Sequence, residues 1–590
     1  MEKLIALREL MKNRNIDAYI IFSNDAHSSE YVADYWKSRE WFSGFTGSAG
    51  TVVVLQDQVG LWTDGRYFIQ AENQLIGSEI KLFKMGEPNI PKIKDFLSEK
   101  LPHGGCVGFD GRTITMSDFD EIKETLTNKG ISYSYNEDLL NELWEERPLM
   151  PTSPAFEHEP CFAGLSAAEK LRIVREKMET HKIEAYLVVA LDDIAWLLNI
   201  RGNDVLYTPV VYSYALITKN EAHVFIDLNK VEDFSCKLKT QGFVLHNYNE
   251  LPAHIKNLNN CSVYFNPKKT NVLLAESIPS NCKILDDHKI DILPLLKAAK
   301  SEAELKNIRN AYLKDSVVIV KLLKWLDESD VSTLTEDSVC AKLIELRKEQ
   351  KHYLENSFNT IAAYGANAAM AHYHHEGEGA TLRPEGFLLI DTGAQYLDGT
   401  TDTTRTIALG KISEEMKLDF TMVLKGHIAL NKAIFPKGAI GHTLDMIARQ
   451  PVLQTKKNYL HGTGHGIGYC LSVHEGPHSI SLSIKDTTEL VSGMLVSNEP
   501  ALYEAGLYGI RTENVLVVRE LNDKLLCFEN LTFCPIDLRA VDFALLTNEE
   551  KEYLEEYHKK TCEILAPFLS DEEKTWLQKF KFKEETGKFS

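Results

Sequence analysis

Apolar residues recur at helical spacing from Met1 to Met11 and again from Leu171 to Met178. Each passage gives way to a short unbroken apolar run, Tyr19 to Phe22 in one and Tyr186 to Val189 in the other. The spacing predicts an amphipathic helix followed by a buried strand in both places. The passages also match residue by residue. Glu2, Lys3, Leu4, Arg8, Glu9, Met11, Ile16, Ala18 and Tyr19 return as Glu169, Lys170, Leu171, Arg175, Glu176, Met178, Ile183, Ala185 and Tyr186, every pair 167 positions apart. A register held from a charged helix into a strand predicts two homologous α/β domains in tandem.

Between the copies, Pro148, Pro151, Pro154 and Pro160 prevent a continuous helix, so an exposed linker with a boundary near residue 152 is expected. Further on, Pro294 precedes a helical run from Leu295, with Lys297, Lys300, Glu302, Glu304 and Lys306 on one side and Leu305 and Ile308 on the other. The expected domains are therefore 1–152, 153–299 and 300–590. A chain of 590 residues is too long for one hydrophobic core.

Composition narrows the function classes. With 44% apolar and 25% charged residues the chain reads as a globular protein that folds throughout. The net charge of −20, without a Lys/Arg block interleaved with aromatics, argues against nucleic acid as a partner. No window approaches the roughly twenty apolar residues of a membrane span, and Met1 to Met11 carries Glu2, Arg8 and Glu9 rather than the pattern of an export leader. Ten scattered cysteines, none in C-x-x-C spacing, read as free thiols in a reducing compartment, and the cytoplasm is expected.

The chemistry concentrates in the last third. An apolar run from Gly386 ends in Asp391 and is followed by an Asp398-Gly399 turn signal and a Thr-rich run through Asp402. This reads as a β-ribbon with the two flanking carboxylates near one another and Asp398 as turn former. His461-Gly462-Thr463-Gly464-His465-Gly466-Ile467-Gly468 sets glycines around two imidazoles. It lacks the Lys-Ser/Thr of a phosphate loop, and Gly476-Pro477 breaks any zinc-protease helix after His474. Asp391, Asp402, His465, Glu499 and Glu513 are the candidate ligands. Four carboxylates and one imidazole suit two adjacent divalent cations, since bridging carboxylates neutralise both charges. Such a pair shares a water, lowers its pKa and polarises a carbonyl, which predicts a dinuclear metallohydrolase.

These segments, with Val473-His474-Glu475-Gly476-Pro477, Glu499-Pro500 and Ile510-Arg511-Thr512-Glu513-Asn514, resemble the catalytic domain of the methionine aminopeptidase, prolidase and aminopeptidase P group. Ser43 to Thr51, Trp62 to Phe68 and the Trp576-Leu577 region are similar to the three-domain, cytosolic-type Xaa-Pro aminopeptidases of that group. The resemblance implies two tandem α/β domains followed by a pita-bread catalytic domain with a C-terminal extension. It implies a homodimer that releases the N-terminal residue from short peptides with proline second, through a hydroxide bridging two metals. Asp391 would bind one metal, His465 and Glu499 the other, and Asp402 and Glu513 both. His372 and His474 would contact substrate, His461 would lie near its entrance, and Glu499 would also move a proton. Arg511, two residues before Glu513, is expected to support a ligating carboxylate.

Oxygen-dominated ligation suits manganese, with zinc and cobalt as alternatives. The chain departs from the family pattern at Asn498 and Ala501 around Glu499-Pro500, and at His374-His375-Glu376, where a solvated loop is expected. The competing readings are a prolidase-like dipeptidase and a pita-bread binding protein without catalysis.

Overall fold

The computed structural model describes residues 2–285, 290, 292–374, 377–580, 582, 583, 588 and 589. The chain divides into two compact units, Met1–His158 with Leu165–Leu293, and Glu159–Gly164 with Pro294–Ser590.

The first unit holds two six-stranded sheets. The first runs Lys81–Lys84, Val59–Thr63, Thr51–Leu55, Ala18–Ile21, Cys106–Phe109, Ser132–Ser134. The second runs Phe243–His246, Ala222–Ile226, Ser213–Thr218, Ala185–Val188, Ser262–Phe265, Lys283–Ile284. Strand order and the parallel or antiparallel sense of every pairing are the same in both. The sequence repeat is thus a repeat of whole α/β units. Ala18–Ile21 and Ala185–Val188 are buried at every position because both sheet faces are covered. Tyr19 and Ile21 enter the core on one face and Ala18 and Ile20 the core on the other, following the two-residue period of a strand.

Pro148 to Ala155 form neither helix nor strand, and Leu149 is 88% exposed. Structure resumes within the Pro-rich stretch, where Phe156–Glu157 pairs with Ile200–Arg201 and Pro160 opens the short helix Pro160–Ala163. Proline fits that first helical position because the N–H it lacks has no partner there. Pro294 likewise lies within the first turn of helix Ile292–Ala298 rather than ahead of it.

The second unit opens on the long helix Glu302–Glu328, which starts at a reciprocal cap between Ser301 and Glu304. It carries a three-stranded antiparallel sheet, Ile361–Tyr364, Phe387–Thr392, Thr403–Ala408, and a four-stranded one, Phe435–Pro436, Leu525–Asn530, Asn514–Glu520, Leu495–Asn498. The hairpin Ala501–Glu504 with Tyr508–Arg511 leaves and re-enters the four-stranded sheet and lies against the three-stranded one, and helices Glu414–Asn431 and Gly441–Leu453 pack against each other. The C-terminal segment belongs to this fold. Cys562, Leu565, Trp576 and Leu577 share a core with Val317 to Leu326 of the long helix, and the Trp576 indole donates to Asp327 Oδ2 at 2.9 Å. Among the described residues no helix is long and apolar enough to cross a membrane.

A buried ion pair fixes the strand ends that carry the candidate ligands. Arg347, on helix Glu336–Lys348, donates to Asp315 Oδ1 (3.0 Å) and to the Thr392 hydroxyl (2.8 Å). Asp315 also accepts from the Thr401 hydroxyl at 2.9 Å. Thr392 follows Asp391 and Thr401 precedes Asp402, so one network holds both. Arg347→Ala leaves Asp315 buried and unpaired, at a cost of about 3–5 kcal/mol. The urea midpoint of the second unit is expected to fall accordingly, and an unchanged midpoint would refute the role of this pair.

Candidate metal centre

Each candidate ligand reaches the site by a local device. Asp391 lies near the end of Phe387–Thr392, opposite Thr404 of the antiparallel strand Thr403–Ala408, and Asp402 immediately precedes that strand. The expected ribbon therefore brings the two carboxylates together. Asp398 sits in the two-residue turn between Ala394–Tyr396 and Gly399–Thr400. It is buried in an ion pair with Lys314 (2.5 Å) and is not a ligand competitor. Gly464 and Gly466 let the His465 segment approach its neighbours: a Cβ would lie 1.9 Å from the Ser497 carbonyl oxygen at the first and 2.1 Å from the Glu475 carbonyl oxygen at the second. Glu499 N–H donates to the Thr463 carbonyl at 2.8 Å and Glu513 N–H to the Thr404 carbonyl at 3.1 Å.

The side chains converge. Single ligand atoms of Asp402, His465 and Glu513 lie within 4.8 Å of one another. His465 Nδ1 faces the Gly466 carbonyl at 2.9 Å, an acceptor, so it carries the proton and the Nε2 lone pair points at the acids. Nε2 stands 3.5 Å from Asp402 Oδ2 and 3.5 Å from Glu499 Oε1. That is long for a hydrogen bond but near the ~3.4 Å that separates two donors on one cation with ~2.1 Å bonds.

Electrostatics supports the same assignment. Burial pushes Glu499 up to about 7, with Asp391 adding to the rise and the Arg511 guanidinium opposing it. Burial and the neighbouring carboxylates push Asp402 and Glu513 well above the carboxylate range. Asp402, Glu499 and Glu513 cannot all ionise at such depth without added positive charge among them. Asp391 Oδ1 is buried without a hydrogen-bond partner, and the other Asp391 oxygen accepts from Arg511. An orphaned carboxylate oxygen beside three crowded acids fits a cation pair.

Arg511 supports Asp391, as its position suggested, and also donates to the Tyr503 hydroxyl at 2.6 Å. Tyr503 lies 2.8 Å from His461 Nε2, and His461 Nδ1 lies 2.7 Å from the Gly462 carbonyl. The proton order is thus Arg511 to Tyr503 to His461 to backbone, and burial lowers His461 to about 4, keeping it neutral. His474 is exposed, edge-on to His465 with ring centroids 4.4 Å apart. Its neighbour Glu475 is anchored by the buried Lys300. His372 is half-buried in the turn after the short helix Gly365–Ala369, beside Tyr373, whose hydroxyl donates to Glu336 at 2.8 Å. His374 is exposed, 3.1 Å from the Asn359 amide, while His375 and Glu376 lie outside the described residues. The Asn498 amide donates to the His427 carbonyl at 2.9 Å, so this departure from the family pattern is tied to the helix behind the strand.

Three contributors escaped the sequence reading. Tyr503 relays Arg511 to His461, the Thr404 hydroxyl donates to Glu513 Oε2 at 2.7 Å, and Asp445 accepts from Thr463 at 2.7 Å while bridged to Arg449, which donates to the Tyr459 carbonyl. The i,i+4 spacing of Asp445 and Arg449 was the only local signal.

The chain matches the model of metallopeptidase family M24 over residues 306–520 and that of the C-terminal region of these peptidases over 524–580. It matches two models of the creatinase/prolidase N-terminal domain over 3–139 and 146–304. It is 38% identical to aminopeptidase P2 of Arabidopsis thaliana, over 96% of this chain and 86% of that one. It is 36% identical to Xaa-Pro aminopeptidase 1 of Dictyostelium discoideum, over 98% and 94%. Its fold superposes with a TM-score of 0.93 and 34% identity, over 100% of this chain and 99% of the other, on the X-prolyl aminopeptidase of Caenorhabditis elegans, described as a cytosolic enzyme with a di-nuclear active site. With its tandem creatinase-type domains and its cluster of four acids and an imidazole, the chain belongs to the Xaa-Pro aminopeptidase (aminopeptidase P) family of M24 metallopeptidases.

Proposed function

We propose that the chain is a metal-dependent Xaa-Pro aminopeptidase that frees the N-terminal residue from short peptides with proline second. The observation that carries this reading is the crowding of Asp402, His465 and Glu513 around one point, with Glu499 3.5 Å from the His465 lone pair. Asp391 would hold one cation, His465 and Glu499 the other, and Asp402 and Glu513 would be shared between them. Two divalent cations, when bound, neutralise the acids and supply the Lewis acidity that activates water and polarises the scissile carbonyl.

The chain's own residues do the rest. Arg511 holds one Asp391 oxygen so that the other faces the site. A Glu499 oxygen takes a proton from the attacking water and passes it to the proline nitrogen as that nitrogen leaves. His474 and His372 contact substrate and stabilise charge on the carbonyl oxygen, and His461, kept neutral by burial and oriented by Tyr503 and the Gly462 carbonyl, borders the substrate entrance. An Xaa-Pro bond lacks the N–H that ordinary peptidases recognise, so a pocket shaped for the ring turns an exclusion into a preference. Oxygen-rich ligation favours manganese, with zinc and cobalt accepting the same donors. Domain limits of 1–152, 153–299 and 300–590, a homodimer and a cytoplasmic location belong to the same proposal.

The test is hydrolysis of an Xaa-Pro-Xaa tripeptide by chelated enzyme restored with single metals, with products resolved by mass. Free N-terminal amino acid with intact Pro-Xaa, strongest with manganese, is expected. Cleavage confined to Xaa-Pro dipeptides would favour the dipeptidase reading, and loaded but inert protein a binding role.

A further inference from the structure

Away from the acid cluster, three imidazoles converge in the second sheet of the first unit. His223 lies on the strand Ala222–Ile226, His246 ends the neighbouring edge strand Phe243–His246, and His254 sits on the helix Leu251–Lys256. The strands are parallel, with His223 opposite Val244 and His246 opposite Phe225. Alternation therefore puts His223 and His246 on one face. One nitrogen from each of the three rings lies within 4.8 Å of the others, and His223 Nδ1 is 3.0 Å from His246 Nε2.

The outward nitrogens of two of the rings face carboxylates. His223 Nε2 lies 3.2 Å from Glu221 Oε2, and His246 Nδ1 lies 3.7 Å from Glu250 Oε2. One ring nitrogen turned to a common point and the other backed by a carboxylate is how metal-ligating histidines are oriented. Packing explains part of the arrangement, since Phe225 stacks on His246 and meets His254 edge-on. A hydrogen bond between His223 Nδ1 and His246 Nε2 accounts for two of the nitrogens, and neither explains why a His254 nitrogen joins them within 4.8 Å. Burial and the proximity of His254 lower both His223 and His246, so these rings are neutral and able to ligate at neutral pH. Donors on a tetrahedral cation stand ~3.4 Å apart, and the three nitrogens, all within 4.8 Å of one another, need only small side-chain adjustments to reach that spacing. The side chains of His223 and His246 are 15% and 18% exposed, so the cluster is open to ions from solvent.

We propose that His223, His246 and His254 form a separate site for one borderline divalent cation of the zinc type, which clamps the edge strand and the Leu251–Lys256 helix to the sheet. All-imidazole donors suit zinc far better than manganese, whereas the oxygen-rich acid cluster accepts either. Zinc-loaded protein then holds one more ion per chain than manganese-loaded protein, and metal counts in the two forms disagree.

The test uses full-length protein dialysed against micromolar free Zn2+. The parent is expected to retain one zinc per chain more than His246→Gln or His254→Ala. Zinc should also raise the unfolding temperature of the first unit in the parent alone, with manganese-supported hydrolysis equal in all three. On the parent, zinc should shield these histidines from diethylpyrocarbonate, a readout that needs no variant to fold. Equal zinc content in parent and variants, an extra zinc that appears only at millimolar concentration, or unshielded histidines would overturn the proposal.

Discussion

Glu513→Gln and Asp402→Asn each lower hydrolysis of an Xaa-Pro-Xaa peptide by about a thousand-fold or more, and both fall below the parent's metal content. Either residue touches both cations in the proposed arrangement, so its loss disrupts the pair, and the several kcal/mol of transition-state stabilisation that metals supply go with it. The fold should not suffer. The Thr404 hydroxyl bond to Glu513 Oε2 is one that Gln can keep. Burial raises both Asp402 and Glu513, with Glu513 and Asp391 adding to the rise of Asp402 and Glu499 and Asp391 to that of Glu513. A carboxylate with a raised folded pKa stabilises the fold below its unfolded value and loses that contribution as pH rises through the folded one. At neutral pH the chelated parent therefore carries a repulsion that the neutral amides relieve, and the chelated variants are expected to unfold no earlier than the chelated parent. Parent-like turnover with full metal content in either variant would remove the basis of the functional reading.

Acid should unfold the second unit while most carboxylates are still ionised. Burial lowers His427 and His558 to about 3 and His478 to about 4, with Arg405 adding to the effect on the first two. Depressed imidazoles leave stability intact above the unfolded value near 6.5. They withdraw it as pH falls toward the folded values, at up to about 1.4 kcal/mol per pH unit for each. Together, several kcal/mol should disappear between pH 6.5 and 4. His558 isolates the effect, because its Nε2 accepts the Ile536 N–H at 3.2 Å and protonation there would set donor against donor. His558→Gln, whose carbonyl can accept the same N–H, should flatten the fall in urea midpoint. A midpoint constant from pH 6.5 to 4.5, or a variant that tracks the parent, would exclude this account.

The difference between the sites and their supports explains what could be read in advance. Asp391, Asp402, His465, Glu499 and Glu513 stand in segments whose residue types have no simpler use in combination, so their chemistry was visible in order along the chain. Tyr503 and Thr404 carry no such mark. A tyrosine four residues after Glu499 and a threonine in a Thr-rich run look like ordinary strand residues. Only the hairpin Ala501–Glu504 with Tyr508–Arg511 and the pairing of Asp391 with Thr404 give them partners. Asp398 was legible in part, because the sequence shows the turn it occupies but not the Lys314 with which it is buried.

By itself the amino-acid order determined the repeat, the strands and helices that make it, and which acids and imidazole are candidates to take cations. Those depend on periodicity and residue type, which are local properties. Tertiary structure alone decided which oxygen of Asp391 is left without a proton donor, how Arg511, Tyr503 and His461 are chained, and that His223, His246 and His254 meet. Each of these depends on pairing between segments distant in sequence, and burial then sets the charge that such neighbours can carry.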